Sequence, residues 1–338
     1  MRARLSFILA LACVIVIGTL SIGQQTTDRF ADKKVGFIST NSFEKKPPNW
    51  EDFLLPDTSI HILSPSHCKN HTVLNVVAHQ DDDLLFINPA ISDAIAAGKC
   101  VRTLYVTAGN DAQGKNYMQN REDGAIAAYN IMLGGDAAWY YKKEDMSETL
   151  SILTAAPVNN DSVSLIFLRL PDGNLDGNGF AGTKGSSIQK LWSGKISSIS
   201  PIDSKISLTR TELLQKLTTI MRAYQPTVIN SQTADSPGGD HSDHRTTGLL
   251  TMVAVRRYVS SQAQHRVITN YFVGYPSRTM TANLSEQQAQ LKHDIFFAYA
   301  LRDPAICRPV EYCHEHGVGT YQQFMDRQYS QPKALRRP

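Results

Sequence analysis

From residue 73 to residue 300, short apolar runs alternate with stretches of helical period, and this alternation restricts the fold more than any other feature of the chain. The runs predict strands at 73–78, 101–107, 163–169, 227–231 and 268–274. The periodic segments between them predict helices at 83–97, 119–133, 208–223, 243–259 and 284–300. Strands and helices in alternation build βαβ units, so the expected class is α/β, a largely parallel sheet flanked by helices. Residues 171–205 break the rhythm with PDG, DG and NG turn dipeptides and many serines, which predicts a long insertion or small hairpin. Residues 317–329 are expected to cap the body as a helix.

With 338 residues and 42% apolar content there is chain enough for one large domain with extensions. The domain is expected at 67–338, including a C-terminal extension, behind an extended polar segment at 24–66. Residues 1–23 read as a secretory signal: Arg2 and Arg4, the apolar run Leu5 to Leu20, then Ser21-Ile22-Gly23 before Gln24. The run is short for a membrane span, so a secreted, extracellular protein without stable membrane insertion is expected, an uncleaved signal anchor being the alternative. Taking Arg2 and Arg4 from 34 basic residues leaves 32 against 31 acidic, a net of +1, which gives nucleic acid no basic surface to bind. Cys68, Cys100, Cys307 and Cys313 lack CxxC spacing and favour disulfides formed in an oxidising compartment. The expected pairs are Cys68 with Cys100 and Cys307 with Cys313, although four cysteines allow three connectivities.

In open α/β sheets, ligands bind beyond the carboxyl ends of the strands. Three polar clusters fall there: His79 to Asp83 after the first strand, Thr107 to Asp111 after the second, and Asp235 to His244 after the fourth. One imidazole and several carboxylates can hold a divalent metal and leave a carboxylate free as a base. His79 and Asp82, three apart across a strand-to-helix turn, supply a nitrogen and an oxygen, and His244 adds a second imidazole. Asp81, between the two ligands, is the natural general base; His241 is the candidate to stabilise an oxyanion or protonate a leaving amine. Asp243 is suited to orienting one of the rings, and Asn110 and Asp111 are candidates for the pocket lining. A plainer reading makes Asp81, Asp82 and Asp83 a helix cap, but it gives no reason for His79 or for the distant histidine pair.

Ala78-His79-Gln80-Asp81-Asp82-Asp83 resembles the first signature, Ala-His-Pro-Asp-Asp-Glu, of the PIG-L (LmbE-like) zinc-dependent N-acetylglucosaminyl deacetylases, with Gln80 replacing proline and Asp83 replacing glutamate. His241-Ser242-Asp243-His244 resembles the second, His-Pro-Asp-His, with Ser242 replacing proline. Thr107-Ala108-Gly109, Leu170-Pro171-Asp172-Gly173 and Arg121-Glu122 are similar to weaker family features, the arginine being one that faces substrate. The resemblance implies a Rossmann-like fold of LmbE type, Zn2+ held by His79, Asp82 and His244, Asp81 as general base, and His241 as the charged partner of a tetrahedral intermediate. It also implies removal of an N-acetyl group from an N-acetylglucosamine-type sugar or glycoconjugate. Fe2+ or another divalent metal suits the same ligands. Two other classes stay open: His79-Gln80-Asp81 plus a distant histidine also spells the facial triad of a non-haem iron oxygenase, and a carbohydrate-binding protein with an inactive site would keep the same residues.

Overall fold

The computed structural model describes residues 66–69, 71–147, 150–235, 238–261, 266–307 and 309–335. The expected signal sequence, nearly all of the N-terminal segment and His265 lie outside them. The described chain runs β1 (Thr72–Val77), a π-helical turn (Asp83–Ile87), α1 (Ala90–Ala96), β2 (Cys100–Thr107), α2 (Lys115–Leu133), β3 (Trp139–Ser147), β4 (Leu150–Pro157) and β5 (Val163–Leu170). It continues through α3 (Ile188–Trp192), β6 (Ser198–Ile199), β7 (Leu208–Thr209), α4 (Arg210–Tyr224), β8 (Val228–Gln232), α5 (Ser242–Ser260), β9 (Val267–Phe272), α6 (Glu286–Ala300), α7 (Val310–His316) and β10 (Ser330–Leu335).

Eight strands form one sheet in the order β10-β9-β8-β1-β2-β5-β4-β3. The block from β9 to β5 is parallel, while β10, β4 and β3 add antiparallel edges. From β1 the chain steps outward through β2 to β5, then returns to the other side of β1 for β8 and β9. The strand order therefore reverses between β1 and β8, and the crevice at such a switch point is where α/β sheets bind ligands. This is the expected α/β class, and it differs from the β-jelly roll that usually carries an iron-oxygenase triad.

Alternation along β1 explains the layering. Leu74 and Val76 face one core with Leu213, Leu217 and Ile220 of α4 and Leu250 and Ala254 of α5. Val73 and Val77 face the other, with Ala125 and Tyr129 of α2 and Ile295 and Tyr299 of α6. Being buried on both faces, a central strand reads as a nearly unbroken apolar run. Asn75 is the polar exception, and its side chain is spent inside the sheet. Asn270 donates to Asn230 (2.8 Å), Asn230 to Asn75 (2.8 Å) and Asn75 to Thr103 (2.9 Å), so the buried amides are satisfied across four strands.

Several expectations need correction. The predicted helix 83–97 is two pieces, because Pro89 has no N–H to continue the first and Asn88 before it is extended (φ −64°, ψ 142°). The hairpin of β3 and β4 is absent from the predicted set. Its edge strand reads Trp-Tyr-Tyr-Lys-Lys-Glu-Asp, aromatic and charged rather than aliphatic, and exposes Tyr140 and Tyr141. Residues 317–329 form a 3-10 turn, Gly319–Phe324, in place of the predicted capping helix, and lead into β10. In the insertion the described residues form a 3-10 turn (Ala181–Thr183), α3 and β6, which pairs with β7 just beyond it.

Both expected disulfides form: Cys68–Cys100 ties the approach to β1 to the start of β2, and Cys307–Cys313 joins α7 to the segment after α6. Among the described residues no helix is long and apolar enough to cross a membrane.

Candidate active site

β1 ends at Val77, and the next residue is held from both sides. Ala78 N–H donates to Gln232 Oε1 (2.9 Å), and its carbonyl accepts from Thr107 N (3.0 Å) and Thr107 Oγ1 (2.9 Å). His79 therefore leaves the sheet in a fixed direction, and the following turn folds Asp82 back so that Oδ2 accepts from His79 N (2.6 Å) and sits 3.1 Å from Nδ1. Across the switch point, α5 starts at Ser242 with His241 as its cap; His241 Nδ1 accepts from Asp243 N (3.1 Å). One turn in, His244 places Nε2 2.9 Å from Asp82 Oδ1. The plainer reading of the acidic turn as a helix cap fails here, since Asp82 makes no side-chain cap bond.

A carboxylate only accepts hydrogen bonds, and each of these two rings has a carboxylate oxygen on both sides. His79 Nε2 lies 3.2 Å from Asp243 Oδ2 and His244 Nδ1 2.8 Å from Asp240 Oδ1, so with a cation held on the Asp82 side these outer nitrogens are the ones that keep their protons. The opposite nitrogens, His79 Nδ1 and His244 Nε2, face the two oxygens of Asp82. His244 Nε2 is buried and makes no hydrogen bond. His79, His241 and His244, and likewise His79, Asp81 and Asp82, bring ligand atoms within 4.8 Å of one another, and Asp82 joins His79 to His244; such a buried donor set suits a divalent cation, and histidines backed by carboxylates are the usual support for one. Electrostatics agree. Burial works against charge on His79 and His244, yet the surrounding carboxylates hold His79 well above the usual histidine range and push His244 up to about 10. Burial likewise opposes the charge on Asp82, but His244 and His79 keep it well below the usual carboxylate range. The enclosed point favours positive charge.

Asp81 borders the same point, with an oxygen within 4.8 Å of ligand atoms of His79 and Asp82. Its Oδ1 pairs with Nη2 of Arg121, whose Nη1 donates to Gly109 O (2.8 Å) and whose Nε donates to Tyr299 OH (2.6 Å). Burial raises the Asp81 pKa even though Arg121 opposes it. Arg121, the arginine expected to face substrate, is 7% exposed and bonded to protein on three nitrogens. Gly109 (φ 52°) has no room for a side chain, because a Cβ there would overlap Arg121 Nη1.

His241 sits edge-on to His79, ring centres 4.6 Å apart, with its Nε2 3.9 Å from Asp172 Oδ1. Burial, then the charge on His79, pushes its pKa down to about 3, so the ring is neutral, with Nδ1 accepting and Nε2 the donor. Asp243 is bonded to His79 and lies 3.9 Å from His241 Nδ1; its Oδ2 also accepts from Gly173 N (2.8 Å). Asn110 is buried and its Oδ1 accepts from Asp172 N (3.3 Å), which fixes the loop carrying Asp172. Asp111 is partly exposed, at φ 35°.

Sequence reasoning did not single out several residues that the fold brings here. Asp172 lies 3.9 Å from His79 Nε2; the sequence marked it only as part of the Leu170-Pro171-Asp172-Gly173 turn, a weaker family feature, with no role of its own. Asp240 supports His244 at i,i+4, a spacing that was open to inspection. Tyr275 packs edge-on to His244, centres 4.9 Å apart, from beyond β9. Gly274, just before it, passes so close that a Cβ would lie 2.8 Å from His244 Nδ1. His293, His314 and His316 lie on α6 and α7 and take no part in this cluster.

No curated protein matches the chain significantly. Among solved structures, N,N'-diacetylchitobiose deacetylase from Pyrococcus horikoshii aligns over 78% of this chain and 84% of its own at 14% identity, TM-score 0.44. The conserved protein TT1542 from Thermus thermophilus aligns over 78% and 93% at 14% identity, TM-score 0.40. The A40926 pseudoaglycone deacetylase Dbv21 aligns over 80% and 99% at 12% identity, TM-score 0.41. A family profile described as GlcNAc-PI de-N-acetylase matches residues 74–255, which runs from within β1 through both histidine turns to within α5 and exceeds half the chain, and by that match the protein belongs to the PIG-L family.

Proposed function

We propose that this chain is a metal-dependent amidohydrolase that removes the N-acetyl group from an N-acetylglucosamine-type sugar or glycoconjugate. The observation that carries the reading is that His79 Nδ1 and His244 Nε2 face the two oxygens of the buried Asp82 carboxylate, each imidazole backed by its own carboxylate. These three residues would hold the ion, Zn2+ or Fe2+. When bound, it supplies Lewis acidity that polarises the acetamide carbonyl and acidifies the attacking water.

This chain's residues do the rest. Asp81, raised by burial and held by Arg121, takes the proton from the attacking water and delivers it to the leaving nitrogen. His241 donates from Nε2 to the oxygen that becomes negative as the carbonyl turns tetrahedral. Asp172, 5% exposed beside both His79 and His241, is positioned to accept from a sugar hydroxyl. Export to an oxidising compartment is part of the proposal, supported by the two disulfides and by the sequence of residues 1–23.

The test is acetate release by metal-reconstituted protein from N-acetylglucosaminyl phosphatidylinositol, N,N'-diacetylchitobiose and free N-acetylglucosamine, run beside Asp81→Asn. Cleavage of at least one compound is expected, with kcat lower by about 10²–10⁴-fold in Asp81→Asn while metal content is unchanged. No release from the whole panel, or full rate in the variant, sinks the reading.

A further inference from the structure

The residues that hold Asp81 do not end with Arg121. Arg121 Nε donates to the Tyr299 hydroxyl (2.6 Å), which in turn donates to Asp303 Oδ2 (2.7 Å), and Nε itself lies 3.4 Å from the same oxygen. The hydroxyl has one proton, so accepting from Arg121 and donating to Asp303 is the single arrangement that satisfies all three groups. Asp303 Oδ1 is fixed separately, by Tyr117 OH (2.9 Å) and Ala305 N (2.9 Å). Its carbonyl accepts from Ile306 N (2.9 Å) and Cys307 N (3.0 Å), and Cys307 is closed to Cys313 by a disulfide.

Asp303 is 2% exposed, Arg121 7% and Asp81 5%. Two buried carboxylates therefore share one guanidinium, joined through a single tyrosine hydroxyl. Room for that tyrosine comes from α2: a Cβ at Gly124 would lie 2.7 Å from Tyr299 Cδ2. Tyr299 and Asp303 both lie beyond residues 74–255, the stretch matched by the family profile.

We propose that Asp303 is a positioning residue for Asp81: acting through Tyr299, it sets the orientation of the Arg121 guanidinium and so the direction of the Asp81 carboxylate. The C-terminal extension is then part of the working site and not only its cover. A guanidinium bonded on one side only would swing with the carboxylate it holds; anchored on both, it presents Asp81 along one line. Misplacement of a reacting group by about 1 Å costs on the order of 100-fold in rate, which sets the scale of the effect. The catalytic part of this proposal rests on the deacetylase reading, whereas the anchoring of Arg121 does not.

The experiment uses the full-length metal-loaded protein and the variants Asp303→Asn, Tyr299→Phe and Asp303→Glu, with two readouts. One is steady-state acetate release from whichever panel compound the wild type cleaves fastest, with bound metal measured in parallel. The other is the solvent-exchange rate of the Arg121 Nε–Hε proton by NMR, its signal identified by its loss in Arg121→Lys. In Asp303→Asn and Tyr299→Phe, kcat is expected to fall by about 10–100-fold with KM nearly unchanged and metal retained, and the Nε proton to exchange faster. Asp303→Glu is expected to recover part of both. An unchanged value in either readout overturns the proposal, as does a rate loss that tracks only loss of bound metal. Should the wild type release no acetate, the deacetylase reading falls, and the exchange readout alone decides whether Asp303 anchors Arg121.

Discussion

Asp82 and Asp83 are neighbours in the chain, both fully buried, and meet opposite fates. Burial alone would raise both. Asp82 faces the switch-point crevice, where His244 and His79 hold it well below the usual carboxylate range. Asp83 faces the core between α2 and the sheet, and burial pushes it up to about 8 despite hydrogen bonds from Tyr129 (3.0 Å) and Tyr105 (3.1 Å). Thr103, at the end of the asparagine ladder, meets Tyr129 OH at 2.5 Å, so the ladder's donors all point toward Asp83. One side of the turn collects charge for an ion; the other ends a neutral polar network that ties the turn to the sheet. Hydrogen bonds from neutral tyrosines do not replace the counter-charge of imidazoles at the same depth.

Breaking the charged side has the largest expected effect. His79→Ala, Asp82→Ala and His244→Ala should each lose the bound metal, read by elemental analysis, together with acetate release; undiminished metal in all three would refute the ligand assignment. A smaller loss is expected from the supporting carboxylates. Asp240→Asn and Asp243→Asn should keep the site but weaken metal affinity by about 10–100-fold, measured by competition with a chelator. Equal affinity in both would mean that the tautomers are set by something else.

The neutral side should respond least, and through pH. In the metal-free protein Asp83 has a folded pKa of about 8 against 3.8 as a free carboxyl. Between those values the unfolded chain has released its proton while the folded one keeps it, so stability falls as pH rises across that window. The slope from this one group is at most about 1.4 kcal/mol per pH unit. Asp83→Asn, which mimics the protonated carboxyl, should flatten the dependence relative to wild type in denaturant titrations. A variant curve parallel to the wild type from about pH 4 to about pH 8 would show that Asp83 is ionised and that the contrast with Asp82 is false.

Most of the parallel sheet was legible because its strands are buried on both faces and so appear as Val- and Leu-rich runs, as in Thr72–Val77 and Val163–Leu170. The β3 edge was not legible, since a strand with one solvated side and charged residues along it lacks that signature. Of the site, the residue types after β1 and at the start of α5 could be read as metal-binding chemistry. Which nitrogen of each ring faces Asp82 could not, because that depends on Asp243 and Asp240 arriving on the far side. Arg121 shows the same limit: its place at the start of α2 gave no sign that Tyr299 of α6 and Asp303 after it would hold the guanidinium against Asp81.

By itself, then, the sequence determined the layer class and the two turns that carry His79, Asp82 and His244, while the structure chose the pairing of Cys68 with Cys100 and of Cys307 with Cys313 among three connectivities. The class and the turns follow from local periodicity and from side-chain chemistry at strand ends, which are written in short stretches of chain. Only the tertiary structure decided which carboxylate backs which imidazole, that Asp83 turns inward while Asp82 turns to the crevice, and that Asp303 reaches Arg121. Hydrogen bonds and charge pairs act over about 3–4 Å, and residues more than 150 positions apart come within that range only when the sheet has closed.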